Sequence, residues 1–398
     1  MSEFRKPTAE EAEKYPQLTN LPALYITISD DISAITKDSY IPGNYTLVYG
    51  EEGGIYDGFM QIKGRGNYSW GLPKKPYTIK LAKAQSLLGM RPAEKWILTA
   101  NYTDKTLLRN FLTFKLAIDT TADYSPDCRF VDLYVNGKYN GNYLLTEVIE
   151  IRDNKINIDE DTEGLFEIEA SYRHDDHTYC IPMPSDNSFH IMYKEPSDND
   201  ILPELKLENL EKFKSFFTQV DASLSKGYDE YSKYIDVDSF VNWYIVNEFV
   251  KNFDSAFTSS CYCFIKDGKL HMGPVWDYDT CYGNQDIVTC MDPTGYHVNG
   301  SPWYGKLTKD ETFKKLLCQR WTELRNDGIF ENFTKRLSQT AEYISASEKK
   351  DTELWPDAMK SRDLRGKKSL YTYDDELQYL KDWVAARINW LDGEWYGK

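Results

Sequence analysis

From Leu21 to about Ile62 apolar and polar positions alternate in short runs, LPALYITIS, YTLVYG and GFMQIKG, divided by Gly, Pro and Asp-Ser breaks. A period of two with turn residues between runs predicts short β-strands. Tyr77–Leu81 extends the pattern, and Trp96–Leu98 adds another short strand. The period then changes. Leu107, Leu108, Phe111, Leu112, Phe114, Leu116 and Ile118 recur at helical spacing behind Asp104, a good N-cap, and predict a core helix from Asp104 to about Thr120. Arg129–Val135 and Tyr143–Ile149 flank Asn136-Gly137, which suits a type I′ turn, and predict a hairpin.

Residues 174–199 are rich in Asp, Ser, Pro and His and read as loop, with a strand around Phe189–Tyr193. Helical patterns dominate beyond. Pro203 opens one helix with Leu207, Leu210, Phe213, Phe217 and Val220 on one face, and Asp236 or Asp238 caps the next, through Phe249. Cys261–Lys266 and Leu270–Met272 form a hairpin around Asp267-Gly268-Lys269, and late helices follow near 310–325, 332–347 and 374–395. The expected plan is α+β: a tail over 1–20, a β-rich extension over 21–60, a β-rich lobe over 61–150 and a mainly helical lobe over 151–398.

A chain of 398 residues, 41% hydrophobic and 28% charged, can bury a core of two lobes and offer a cleft between them. Its formal charge of -16 repels polyanions at range, which argues against nucleic acid; it would favour a basic protein or peptide as partner, although a solvated surface explains the charge more simply. The longest apolar stretch, Phe240–Val250, contains Asn242, Asn247 and Glu248 and is too short and polar to cross a bilayer. The polar N-terminal segment has no apolar signal core, so the chain is cytoplasmic, or is exported or held at the cell surface after losing its signal. Seven cysteines without zinc spacing predict neither a disulfide framework nor a metal centre.

Three features carry chemistry. Lys63-Gly64-Arg65-Gly66-Asn67-Tyr68-Ser69-Trp70-Gly71 lies between strands and can set backbone N–H groups against phosphates; it can equally be a plain turn. Lys80, inside the strand 77–81 and following Lys74 and Lys75, can aim an ammonium at phosphate or simply be an exposed strand lysine. Asp254 closes the helix that begins near Asp236, and Asp277 follows the hairpin in Gly-Pro-Val-Trp-Asp-Tyr-Asp, so the two carboxylates can face one pocket with Asp279 alongside. Such an oxygen-rich group suits Mg²⁺ or Mn²⁺. The alternative is that Asp277 and Asp279 cap turns while Trp276 fills the core. Paired carboxylates among 30 Tyr and 10 Trp would also fit a glycosidase, but most aromatics sit at core spacing. His174-Asp175-Asp176-His177 reads as a solvated loop.

The segments RGNYSWGLPKKPYTIKL, SLLGM, ILTANYTDKTLLRN, FVDLYVNGKYNGNYLLTE, NEFVKNFDS and GPVWDYD together resemble the CotH family of spore-coat and related proteins, which are atypical protein kinases. The resemblance implies an atypical protein-kinase-like two-lobe fold with ATP between the lobes and transfer of the γ-phosphate to a protein Ser or Thr. It makes Asp254 the catalytic carboxylate and Asp277 the metal-binding one. Lys80 or Lys75 becomes the phosphate-contacting lysine, Gly64, Arg65, Gly66 and Ser69 the phosphate cover, and the strand reaching Glu147 leads toward the adenine. Ser259 stands where protein kinases place a second metal-binding Asn, and the helix from Asp104 to Thr120 has no Glu to pair with the lysine. Those departures leave open a pseudokinase or surface binding module, or a nucleotidyl (AMP) transferase, on the same fold.

Overall fold

In a computed structural model of the chain, the described residues are 5–49, 54–120, 123–173, 179–196, 202–360 and 372–398. Twelve strands and a set of helices build a mixed α+β molecule, β-rich first and helical toward the C-terminus. Strands β1 (Ala23–Ile28), β2 (Ile41–Tyr49), β3 (Gly54–Gly64), β4 (Tyr77–Gln85), β5 (Ala93–Thr99), β6 (Cys128–Val135) and β7 (Lys138–Glu147) form a closed seven-stranded barrel in the order β1-β2-β3-β4-β5-β7-β6.

The closure corrects the expected plan. Instead of a β extension preceding a kinase-like lobe, β1 pairs in parallel with β6, from Ala23 opposite Asp132 to Ile26 opposite Val135, and seals the barrel. A meander of these strands would otherwise leave two edges of unpaired N–H and C=O groups. Alternation then does the rest: Leu24, Ile26, Met60, Ile79, Trp96 and Leu133 point inward and are fully buried. The Asn136-Gly137 turn between β6 and β7 has φ values of 49° and 76°, as a type I′ turn requires.

The helix expected from Asp104 begins later, as α1 (Arg109–Thr120). Asp104 still organises its start, because its carboxylate accepts the N–H groups of Thr106 at 3.0 Å and Arg109 at 2.8 Å, and Leu107 between them takes a left-handed φ of 63°. Beyond the barrel, β8 (Leu165–Ala170), β9 (Cys180–Pro182), β10 (Phe189–Glu195), β11 (Cys261–Lys266) and β12 (Lys269–Met272) form a five-stranded sheet in the order β12-β11-β8-β10-β9. The part expected to be mainly helical therefore holds a sheet as well. One face of it, with Phe166, Ile168, Ile191, Cys261 and Cys263, packs into the core formed by α2 (Pro203–Ser223), α3 (Val237–Val250), α4 (Glu311–Asn326), α5 (Ile329–Leu354) and α6 (Tyr373–Trp395). No helix among the described residues is long and apolar enough to cross a membrane.

Candidate active site

Asp254 sits where α3 ends. Lys251 adopts a left-handed φ of 46° that stops the helix, and Asn252 caps the short 3₁₀ turn Phe253–Ala256 that carries Asp254. The Asn252 side chain also reaches across the hairpin. Its Nδ2 donates to the Asp277 carbonyl at 3.1 Å, and its Oδ1 accepts from the Thr280 hydroxyl at 3.2 Å. The hairpin β11–β12 thus brings Asp254 and the Asp277 segment together, and Asn252 fastens them.

The Asp277 segment is held from the other side by the stretch that opens α1. Asn110 Oδ1 accepts the Tyr278 N–H at 2.8 Å, the Thr103 hydroxyl donates to the Asp279 carboxylate, and Asn284 Nδ2 donates to the Asp279 carbonyl at 2.7 Å. Trp276 packs on Phe114 with ring centroids 5.6 Å apart, and Tyr278 is buried. Between these anchored neighbours Asp277 takes a left-handed φ of 66° and keeps part of its surface accessible. Its carboxylate makes no hydrogen bond to the described residues.

The charges here are crowded. Burial pushes the Asp254 carboxyl up to about 6, opposed by Arg173 and reinforced by Asp279 and Glu167. Enclosure by protein, then repulsion from Asp279 and Asp254, holds the Asp277 carboxyl well above the ordinary carboxylate range, with Arg65 opposing. Burial also raises Asp279, against the Thr103 hydrogen bond. Three carboxylates that each raise or feel the others' cost form a set of hard oxygen donors that fits a small divalent cation. They do not close into a complete cage: their oxygens are not all within 4.8 Å of one another, and the group that meets that spacing among the described residues is Asp123, Asp236 and His271.

The glycine segment between β3 and β4 is a tight fold around Trp70. A Cβ on Gly64 would stand 2.3 Å from the Trp70 ring, and one on Gly66, at φ 83°, would stand 2.2 Å from the Ser69 hydroxyl. Lys75 is used inside this loop, donating to the carbonyls of Trp70 at 2.7 Å and Leu72 at 3.3 Å. Lys80 is half-buried on the outer face of β4, opposite Gln61 and Lys95. Neither lysine is among the groups that act most strongly on Asp277. Arg65 is: its guanidinium lies 5.3 Å from the Trp276 ring centroid, makes no hydrogen bond to the described residues, and faces Asp277, Glu167 and Tyr262. Burial lowers its pKa, the mark of a cation short of water.

Glu147 is buried and occupied. It accepts from the Arg91 N–H and guanidinium, each at 2.8 Å, and from the Asp127 N–H at 3.1 Å, so it anchors the end of β7. Ser259 has its hydroxyl 3.5 Å from that of Ser260 and its N–H 3.4 Å from the Asp254 carbonyl. The cluster 174–177 lies outside the described residues.

A family model described as CotH kinase protein matches residues 62–391. The chain belongs to the CotH family. It is also similar to the inner spore coat protein H of Bacillus subtilis (strain 168), at 24% identity over 245 residues, which is 56% of this chain and 59% of that protein. The chain therefore spans less than two thirds of that relative's length.

This CotH-family chain also places near these carboxylates several residues that the sequence reading passed over. Glu167 and Glu169 on β8 lie on the sheet face opposite the core, with Tyr262 directly across from Glu167 on β11. Lys194 on β10 pairs with Glu167 at 3.0 Å, and burial together with Glu167 pushes Glu169 up to about 7. Arg173, just after β8, pairs with Asp254 at 3.3 Å. The signal for β8 is present as Leu-Phe-Glu-Ile-Glu-Ala, an alternation with glutamates on one face.

Proposed function

We propose that this chain is a Mg²⁺- or Mn²⁺-dependent protein kinase that transfers the γ-phosphate of ATP to a Ser or Thr hydroxyl of a protein. The observation that carries the reading is that Asn252 ties the Asp254 and Asp277 segments together with Arg65 beside Asp277, Asp254 buried and Asp277 partly accessible. Phosphoryl transfer needs positioned charge more than covalent chemistry from the protein. Asp277, with Asp279, would hold the metal ion, which would supply positive charge to offset that of the phosphates. Arg65 takes the phosphate-facing role expected of Lys80 or Lys75, since it is the cation of the glycine hairpin that faces the carboxylates. Asp254 orients the acceptor: its carboxylate accepts the hydroxyl hydrogen as the oxygen attacks phosphorus in line. The bond from the γ-phosphorus to the bridging oxygen breaks, the electron pair leaves with ADP, and the proton passes to Asp254. The net charge of -16 favours a basic acceptor protein.

The test compares ATP labelled at the γ- and α-phosphates, with the chain itself and myelin basic protein as acceptors. Label is expected on Ser or Thr from the γ-position alone, falling at least ~100-fold in Asp254→Asn and Asp277→Asn. Transfer of α-label would make the chain a nucleotidyl transferase. No transfer, together with an unchanged melting temperature in ATP and Mg²⁺, would make it a binding module.

A further inference from the structure

The seven residues from Asp254 to Ser260, Asp-Ser-Ala-Phe-Thr-Ser-Ser, contain no Lys or Arg. A phosphoryl group moving toward an acceptor at Asp254 would meet Asp279 and Glu167 as the nearest like charges, and Arg65 stands by Asp277, on the nucleotide side. A cation for the acceptor side has to come from elsewhere in the chain. Arg173 comes from the 3₁₀ turn Ser171–Arg173 that follows β8, and its Nη2 lies 3.3 Å from Asp254 Oδ1. Asp254 is 12% exposed in this pair and Arg173 37%, so the carboxylate is sunk in the protein while the guanidinium is partly open to solvent. One Nη lies on Asp254 and the guanidinium also meets the Tyr172 side chain, and a planar, five-donor fork has donors beyond these two contacts for a second anion.

We propose that Arg173 is a catalytic residue: its guanidinium binds the equatorial oxygens of the phosphoryl group in transit while its bond to Asp254 keeps that carboxylate aimed at the acceptor hydroxyl. This rests on the phosphotransfer reading above. The covalent balance is unchanged, since Arg173 neither gains nor loses a proton. It offsets charge that grows between the attacking and leaving oxygens, the task of an arginine finger supplied in cis. Removing Arg173 leaves the buried Asp254 carboxylate without its cation, so stability has to be read beside activity.

The experiment measures kcat and KM for ATP with γ-labelled nucleotide in the wild type, Arg173→Ala and Arg173→Lys, with melting temperature as the check on folding. Arg173→Ala is expected to lower kcat at least ~100-fold with KM for ATP within about threefold, and free guanidine to restore part of the loss. Arg173→Lys keeps the charge without the fork and is expected to fall between the two. An Arg173→Ala variant with kcat within threefold of wild type, or with only KM raised, overturns the assignment and leaves the phosphotransfer reading standing. A wild type that transfers no phosphate removes both.

Discussion

Asp254 is ionised at a cost that the fold bears. Its carboxyl rises from 3.8 to about 6 because of burial, so between those values the folded state holds a proton that the unfolded state has released. Stability therefore falls as pH rises through this window, and above pH 6 the whole cost remains. Asp254→Asn keeps the shape and removes the charge. It is expected to stabilise the metal-free protein at pH 7.5 by about 3 kcal/mol, with the gain vanishing below pH 4. Urea denaturation at both values checks this, and an equal effect at the two would contradict it. The same residue was legible in the sequence, as was Asp277, because a short helix end and a tight hairpin are local features that fix where both must lie. Arg173 and Glu167 were not legible: their place beside Asp254 depends on β8 pairing with β11 across about a hundred positions, and no local pattern announces that partner. The partners of Lys75 were no more legible, since they are carbonyls of its own loop.

Among the elements, the hairpin β3–β4 shows most directly how packing sets function. Trp70 folds back over Gly64, and that closure fixes the backbone from which Arg65 projects onto Trp276. Gly64→Ala puts a methyl 2.3 Å from the Trp70 ring, a contact no rotamer of a rigid indole relieves without moving the loop. The variant is expected to lose about 1–3 kcal/mol of stability and, under the proposed function, to weaken nucleotide binding through displaced Arg65. Gly71→Ala is the matched control: its Cβ would meet nothing within 4 Å, and neither stability nor binding should change. Denaturation midpoints and nucleotide titration of the two variants give the comparison. The alternating and helical periods announced most of these elements, but not where α1 begins. Asp104 was read as its N-cap from residue type alone, whereas in the fold its two oxygens serve a loop of several residues, including the left-handed Leu107, before the first helical turn.

For the whole molecule, the question is what keeps the barrel, which carries Arg65, in register with the helical part, which carries Asp254 and Asp277. The closing of the barrel by β1 on β6 was invisible in the sequence, because parallel pairing over such a separation leaves no local mark. Nor was the seam between barrel and helices visible. Lys74, whose neighbours in sequence suggested phosphate, is instead buried with Asp351 of α5 at 2.7 Å and donates to the Asn142 carbonyl at 2.5 Å. Asp351 also accepts the Asn142 N–H at 2.8 Å, and Asn142 Nδ2 donates to Ser347 one turn earlier on α5. Every partner joins β7 or the β4 entry to one helix. A pair this deep adds little net stability over apolar packing, but removing one member strands the other charge. Asp351→Ala is therefore expected to cost about 3–5 kcal/mol, and Lys74→Met with Asp351→Leu to recover most of it. Urea denaturation of the single and double variants measures this, and a double variant no better than the single would show that the seam depends on the charges themselves. If the seam also sets the register between Arg65 and the carboxylates, the proposed function predicts that the recovered double variant still binds nucleotide more weakly than wild type, because apolar side chains restore burial without restoring the hydrogen bonds that hold Asn142 against α5.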